Sequence, residues 1–124
     1  MIKRIVIPGR FPSLNEWVDA NRRKRGNYSP GNVMKQRDQK TICQYIPKGL
    51  HFNNRIFIEY NFFEPNTKRD PDNISGYFHK ICMDALVECG AIDDDDWKHI
   101  RGMSDYFEVD KGFPRIEVVI EESR

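Results

Sequence analysis

Residues 70–90 read DPDNISGYFHKICMDALVECG, and this stretch decides the fold. Asp70-Pro71 predicts an N-cap followed by proline at the first helical position, where a missing N–H costs nothing. Gly90 is placed to end the helix in a left-handed conformation. Between them Ile74, Phe78, Ile81 and Ala85 recur at helical spacing and form a core-facing stripe. Opposite lies a second stripe of Gly76, His79, Met83 and Leu86-Val87. A helix with two such stripes is buried on both sides, either by a second copy or by the chain's own N-terminal loop.

Upstream, RIFIEYNFFE (55–64) is rich in β-branched and aromatic residues and predicts a central strand. Downstream, strands are predicted at about 99–109 and 115–121, with Asp110-Lys111-Gly112-Phe113-Pro114 between them. IKRIVI (2–7) predicts a short strand ended by Pro8-Gly9. Residues 10–29 read as an irregular loop with Ser13 as a candidate cap, and a polar helix is expected from Ser29-Pro30 to about Tyr45. The order is β-α-β-α-β-β: a small single-domain α/β fold over residues 1–124, with a mixed sheet and two main helices.

Cys43, Cys82 and Cys89 form an odd set without CxxC spacing, so reduced, mostly buried thiols are expected and not a zinc site or disulfide framework. No apolar run reaches membrane-spanning length and MIKRIVIPGRFP lacks a signal-peptide core, so a cytoplasmic location is expected. Net charge is +1, but it is unevenly spread. Residues 1–69 hold 14 Lys and Arg against 5 Asp and Glu, while residues 70–124 hold 6 against 14. That asymmetry suggests a basic surface for a polyanion beside an acidic site, or two faces that pair with each other.

The acid is concentrated in AIDDDDWK (91–98). Each adjacent carboxylate pair there costs roughly 0.5–1 kcal/mol at about 6 Å even in high dielectric. Asp70 and Asp72 make a second acidic pair. Taken singly, these are a helix cap and a solvated loop. Together they offer oxygen ligands for a hard divalent cation, which relieves the repulsion. With a basic N-terminal half, the natural substrate is a phosphodiester. A helix of about 20 residues spans about 30 Å, so the pairs meet only if the helix ends early or the acidic loop folds back along it.

KRDPDNISGYFHKICMDALVECGAIDDDDWKHI (68–100) resembles the core of the RusA-type Holliday-junction resolvases, small endodeoxyribonucleases often carried by prophages. The resemblance rests on Arg69-Asp70-Pro71-Asp72-Asn73, Lys80, Asp84-Ala85-Leu86, Gly90 and the paired aspartates of the 93–96 run. Pro12-Ser13-Leu14-Asn15 matches the family's N-terminal Pro-Ser-x-Asn. The resemblance implies an enzyme that cuts four-way junctions in DNA recombination and repair, using Mg²⁺ or Mn²⁺, and the two-fold symmetry of such a junction suits a homodimer. The resemblance also implies that Asp70, Asp72 and Asp95, with Asp94 as partner, hold the metal; the run leaves this register open by one. Counted back from Asp-Ala-Leu the family's catalytic lysine is Lys80, and counted forward from Asp72 it falls on Gly76, which has no side chain to act with.

DNA contacts are expected from Lys68 and Arg69, from Arg22, Arg23, Lys24 and Arg25, and from Ser13 and Asn15. Phe11, Trp17 and Tyr28 flank the basic loop and either stack on unpaired bases or pin the loop to the core, the latter favoured for Trp17. The competing reading is a catalytically inactive DNA-binding protein of the same fold. A Ca²⁺-binding loop is the next alternative, but EF-hand spacing is absent.

Overall fold

Strand β2 (Ile56–Glu64) shows why the sheet forms where it does, its side chains alternating strictly between two environments. Ile56, Ile58, Tyr60, Phe62 and Glu64 are buried, while Phe57, Glu59, Asn61 and Phe63 are half-buried on the other face. This is the period-2 signature of a strand packed on one side. The computed structural model describes residues 1–124, in the order β-α-α-β-α-β-β. The elements before β2 are β1 (Ile2–Pro8), α1 (Leu14–Arg22) and α2 (Pro30–Cys43). After it come α3 (Pro71–Glu88), β3 (Ile100–Val109) and β4 (Arg115–Glu122).

The sheet order is β1-β4-β2-β3. Strands β2 and β3 are parallel and joined by α3 as the crossover, while β4 runs antiparallel to both β1 and β2. The sheet is therefore mixed, as the sequence predicts. One core of 23 buried residues joins sheet and helices. At its centre the Phe78 ring meets Tyr60 and Phe62 edge-on, centroids 5.9 and 5.7 Å apart, a favoured aromatic geometry.

The region read as an irregular loop holds a third helix. Ser13 caps α1 by accepting from Glu16 N at 3.1 Å, and Glu16 Oε1 accepts from Ser13 N at 3.2 Å. This reciprocal pair is a capping box. Helix α1 closes on the second stripe of α3 at Gly76, where a Cβ would lie 3.1 Å from Leu14 Cδ2. Met83 and Leu86 are buried too, and His79 Nε2 pairs with Asp105 of β3 at 2.7 Å. The second stripe of α3 is thus occupied within the chain. Helix α2 is pinned to α3 by Tyr77, whose hydroxyl donates to the buried Asp38 at 2.7 Å.

Candidate functional site

At the N-terminal end of α3, Asp70 holds the N-cap position with extended backbone, yet its carboxylate makes no capping hydrogen bond. Pro71 has no N–H to offer, and the backbone carbonyl of Asp70 takes Ile74 N at 3.0 Å. Asp70 and Asp72 are both exposed and neither joins an ion pair, so both carboxylates are open to a ligand. Asn73 Oδ1 accepts from Asn15 N at 2.9 Å and so brings the start of α1 to the first turn of α3.

Immediately behind, Glu64 is 6% exposed and gathers two guanidinium groups. Arg10 Nη2 donates to it at 2.8 Å, and Arg69 donates through Nε and Nη2 at 3.1 Å each. Burial pushes the Glu64 carboxyl up, but the hydrogen bonds from Arg10 and Arg69 outweigh it and leave the group below its ordinary value. Arg69 also donates to Phe11 O at 2.9 Å. Its guanidinium is thus committed inside the protein and leaves Lys68, exposed and unpaired, as the free cation of that pair. Ser13 is likewise 3% exposed and spent on its cap. A cavity of about 420 Å³ opens here between Glu64, Asn66, Asp70, Ile74 and Phe107.

At the other end of α3, Gly90 adopts φ +77° and reverses the chain. Ala91 and Ile92 are buried, and Phe52 N donates to Ala91 O at 2.8 Å. The four aspartates that follow are not equivalent. Asp93 faces His51 Nε2 at 3.2 Å. Asp96 meets His99 Nδ1 at 2.5 Å and accepts from Lys98 N at 3.1 Å. The His99 hydrogen bond, the largest influence, holds the Asp96 carboxyl below its ordinary value. Asp94 accepts only the neighbouring Asp95 N, at 2.8 Å, and the Asp95 side chain has no partner. The repulsion within the run is eased at its outer members by histidines, and the inner two remain free.

The structure thus leaves Asp70 and Asp72 open at one end of α3 and Asp94 and Asp95 open at the other, and does not bring the two pairs together. Helix α3 is unbroken over 18 residues, about 27 Å at 1.5 Å per residue. The parallel register agrees: Ile100, just after the run, pairs with Ile56 at the start of β2, whereas Asp70 follows its end. No group of three or more His, Cys, Asp or Glu side chains is arranged to hold a metal ion within one chain. Lys80 lies between the ends, about 12 Å along the axis from Asp72. It is half-exposed and 3.5 Å from Asp84, which Lys35 of α2 meets at 2.7 Å. Gly76, the other position counted for a lysine, abuts Leu14.

Arg22, Arg23, Lys24 and Arg25 end α1 and lead into a tight turn in which Arg25 and Tyr28 exchange backbone hydrogen bonds of 2.9 Å. All four are exposed, and only Arg22 has a carboxylate within 4 Å, Asp19 at 3.8 Å. Phe11 packs on Phe78 and Trp17 on Tyr77, with centroids 5.3 and 5.4 Å apart; Tyr28 is exposed. The sequence reading did not find Glu64 with Arg10, the buried Asp38, or the aspartate beside each of the three histidines. Their partners lie 54, 39, 42 and 26 residues away, His99 alone having a local one. Cys89 is exposed, contrary to the expectation of mostly buried thiols. No helix is long and apolar enough to cross a membrane. No protein-family model matches the chain, and no curated protein matches it.

Proposed function

We propose that the chain is a Mg²⁺-dependent endonuclease of branched DNA, of the RusA type that its motifs resemble. The observation that carries this reading is the unspent carboxylate of Asp70, at a position where an aspartate ordinarily caps its helix. Asp72 stands beside it and Lys68 precedes it, also without ion-pair partners. All-oxygen donors suit a hard cation such as Mg²⁺, or Mn²⁺ in its place, and one or two carboxylates from the protein suffice. When bound, the cation supplies charge neutralisation at the phosphate and activation of water. The chain's own part is to hold the strand: Lys68 beside Asp70, and Arg22–Arg25 at the far end of α1, about 13 Å away along the nine-residue helix. Such phosphate contacts set position without reading sequence.

Asp94 and Asp95 belong to the same reading only through a second copy. Two chains related by a two-fold axis, with their α3 helices antiparallel, would set Asp70 and Asp72 of one beside Asp94 and Asp95 of the other. A four-way junction has the matching symmetry.

The competing reading, a DNA-binding protein without cleavage, is favoured by the failure of any three acidic side chains to be arranged to hold a metal ion within one chain. A synthetic four-way junction and a matched linear duplex, each incubated with and without Mg²⁺, separate the two. Nicking is expected on the junction alone, only with Mg²⁺, and lost in Asp70→Asn and Asp72→Asn while junction binding survives. Binding without nicking under every divalent ion selects the competing reading. Nicking that persists at the wild-type rate in both variants removes Asp70 and Asp72 from the site.

A further inference from the structure

Trp97 is 90% exposed, the most open large apolar side chain of the protein, whereas the other tryptophan packs on Tyr77. We infer that Trp97, with Arg55 and Arg101 beside it, is a stacking platform for one unpaired nucleobase. This deepens the nuclease reading and rests on it.

The indole does not sit on a loose tip. Asp96 holds the turn from both its groups: the carboxylate takes Lys98 N and His99 Nδ1, and the carbonyl takes His99 N and Ile100 N at 3.1 and 3.0 Å. Trp97 is therefore presented to solvent by an ordered turn that runs directly into β3. Beside it lies a concavity of about 280 Å³ lined by Arg55, Ile100 and Arg101 as well as Asp95, Asp96 and Trp97 itself. That is just under the roughly 300 Å³ at which pockets for larger ligands begin, and it suits a single planar group.

The cations are pre-positioned. Arg55 Nη2 donates to Ile100 O at 3.3 Å, and the Arg101 guanidinium lies 5.2 Å from the Phe57 ring centroid. Neither of them, nor Lys98, forms an ion pair, although the four aspartates of 93–96 stand just before Lys98 and Arg101 in the chain. An open indole flanked by guanidinium groups without carboxylate partners is the combination that binds single strands: the ring stacks a base of any kind and the cations take its phosphates. Asp94 and Asp95 repel that phosphate until a divalent cation neutralises them, so the contact should strengthen with the ion.

Trp17→Phe leaves Trp97 as the sole tryptophan. Its emission is titrated with oligothymidylate, with a four-way junction and with intact duplex, in Ca²⁺ and in EDTA. Quenching is expected with the first two and not with duplex, and more strongly in Ca²⁺. Independently, Trp97→Ala in the otherwise native chain should weaken junction binding by about 10-fold, within the range of one lost base stack, with the thermal midpoint unchanged. Full junction affinity in Trp97→Ala, with unquenched Trp97 emission, overturns the platform and leaves the nuclease reading standing. Failure of the native protein to bind any of the DNAs overturns both. A Trp97-dependent dimer, seen by sedimentation without DNA, overturns the platform by assigning the indole to a second copy.

Discussion

Glu64 illustrates how much of the site rests on a residue with no direct part in it. Its carboxylate is the common acceptor for Arg10 and Arg69, and Arg69 in turn fixes the turn that leads into Asp70. Glu64→Gln leaves two guanidinium groups, one of them largely buried, facing a neutral amide. A cost of about 2–4 kcal/mol is expected, at the lower end of broken buried pairs because Arg10 is partly solvated; urea unfolding measures it. Because the folded-state pKa of Glu64 is depressed, its contribution is complete above the ordinary value of about 4.5 and is lost as pH falls through the folded value. Glu117, held below its ordinary value against burial by Arg4 and Arg115, acts in the same direction. Stability should therefore fall on acidification below about pH 4.5, and less steeply in Glu64→Gln. The aspartate run gives a second test at this scale. A uniform solvated loop predicts four equivalent Asp→Asn changes. The observed pairing predicts that Asp96→Asn lowers the thermal midpoint, because it weakens the turn that His99 and Lys98 close, while Asp94→Asn and Asp95→Asn raise it slightly by easing repulsion. Asp95→Asn should also diminish the thermal shift on adding Mg²⁺, since an ion that binds only the folded state stabilises it by mass action.

Helix α1 is written in the sequence more faintly than α3. Ser13 followed three residues later by Glu16 is a capping-box pattern, but the arginines beyond it and a mean composition poor in apolar residues made the segment look irregular. What such a pattern does not show is the surface that receives the helix. Leu14 seats against Gly76 of α3 and Trp17 against Tyr77, contacts 62 and 60 positions apart in the chain. Ser13→Ala is expected to cost about 1 kcal/mol, the usual value for a lost N-cap, and to release α1 before the rest of the fold; hydrogen exchange at the first turn of α1 is the measurement. Helix α3 was legible because each of its signals was local: a proline at its first position, a glycine past its end, and an apolar stripe at constant spacing. Its second stripe was equally visible, but only the tertiary structure distinguishes cover by the chain's own elements from cover by another molecule. The same limit applies to the carboxylates. Sequence spacing identifies both acidic pairs, and the length of α3 keeps them apart within one chain.

At the scale of the whole molecule, the division into a basic and an acidic half is partly cancelled by folding. Arg4 with Glu117 and Lys35 with Asp84 are ion pairs that cross it. The cations left unpaired include Arg23, Lys24, Arg25 and Lys68, and the uncommitted carboxylates include Asp70, Asp72, Asp94 and Asp95. Replacing Arg22–Arg25 with alanine should weaken DNA binding across sequences and flatten its dependence on salt, since each lost phosphate contact releases fewer counterions. The arrangement of the carboxylates makes a sharper demand. If each metal site takes Asp70 and Asp72 from one protomer and Asp94 and Asp95 from its partner, an Asp70→Asn protomer and an Asp95→Asn protomer are each inactive alone but complementary when mixed. In such a heterodimer one site has lost both contributions, and the other is intact. Equal mixing with free exchange makes half of the dimers heterodimers, each with one working site of two, so about a quarter of wild-type nicking returns. Paired cutting of opposite strands stays lost, because no dimer has two intact sites. If all four carboxylates instead act within one chain after a rearrangement of α3, the mixture remains as inactive as its parts. Nicking that returns without paired cleavage, read on a junction labelled on opposite strands, is the outcome expected.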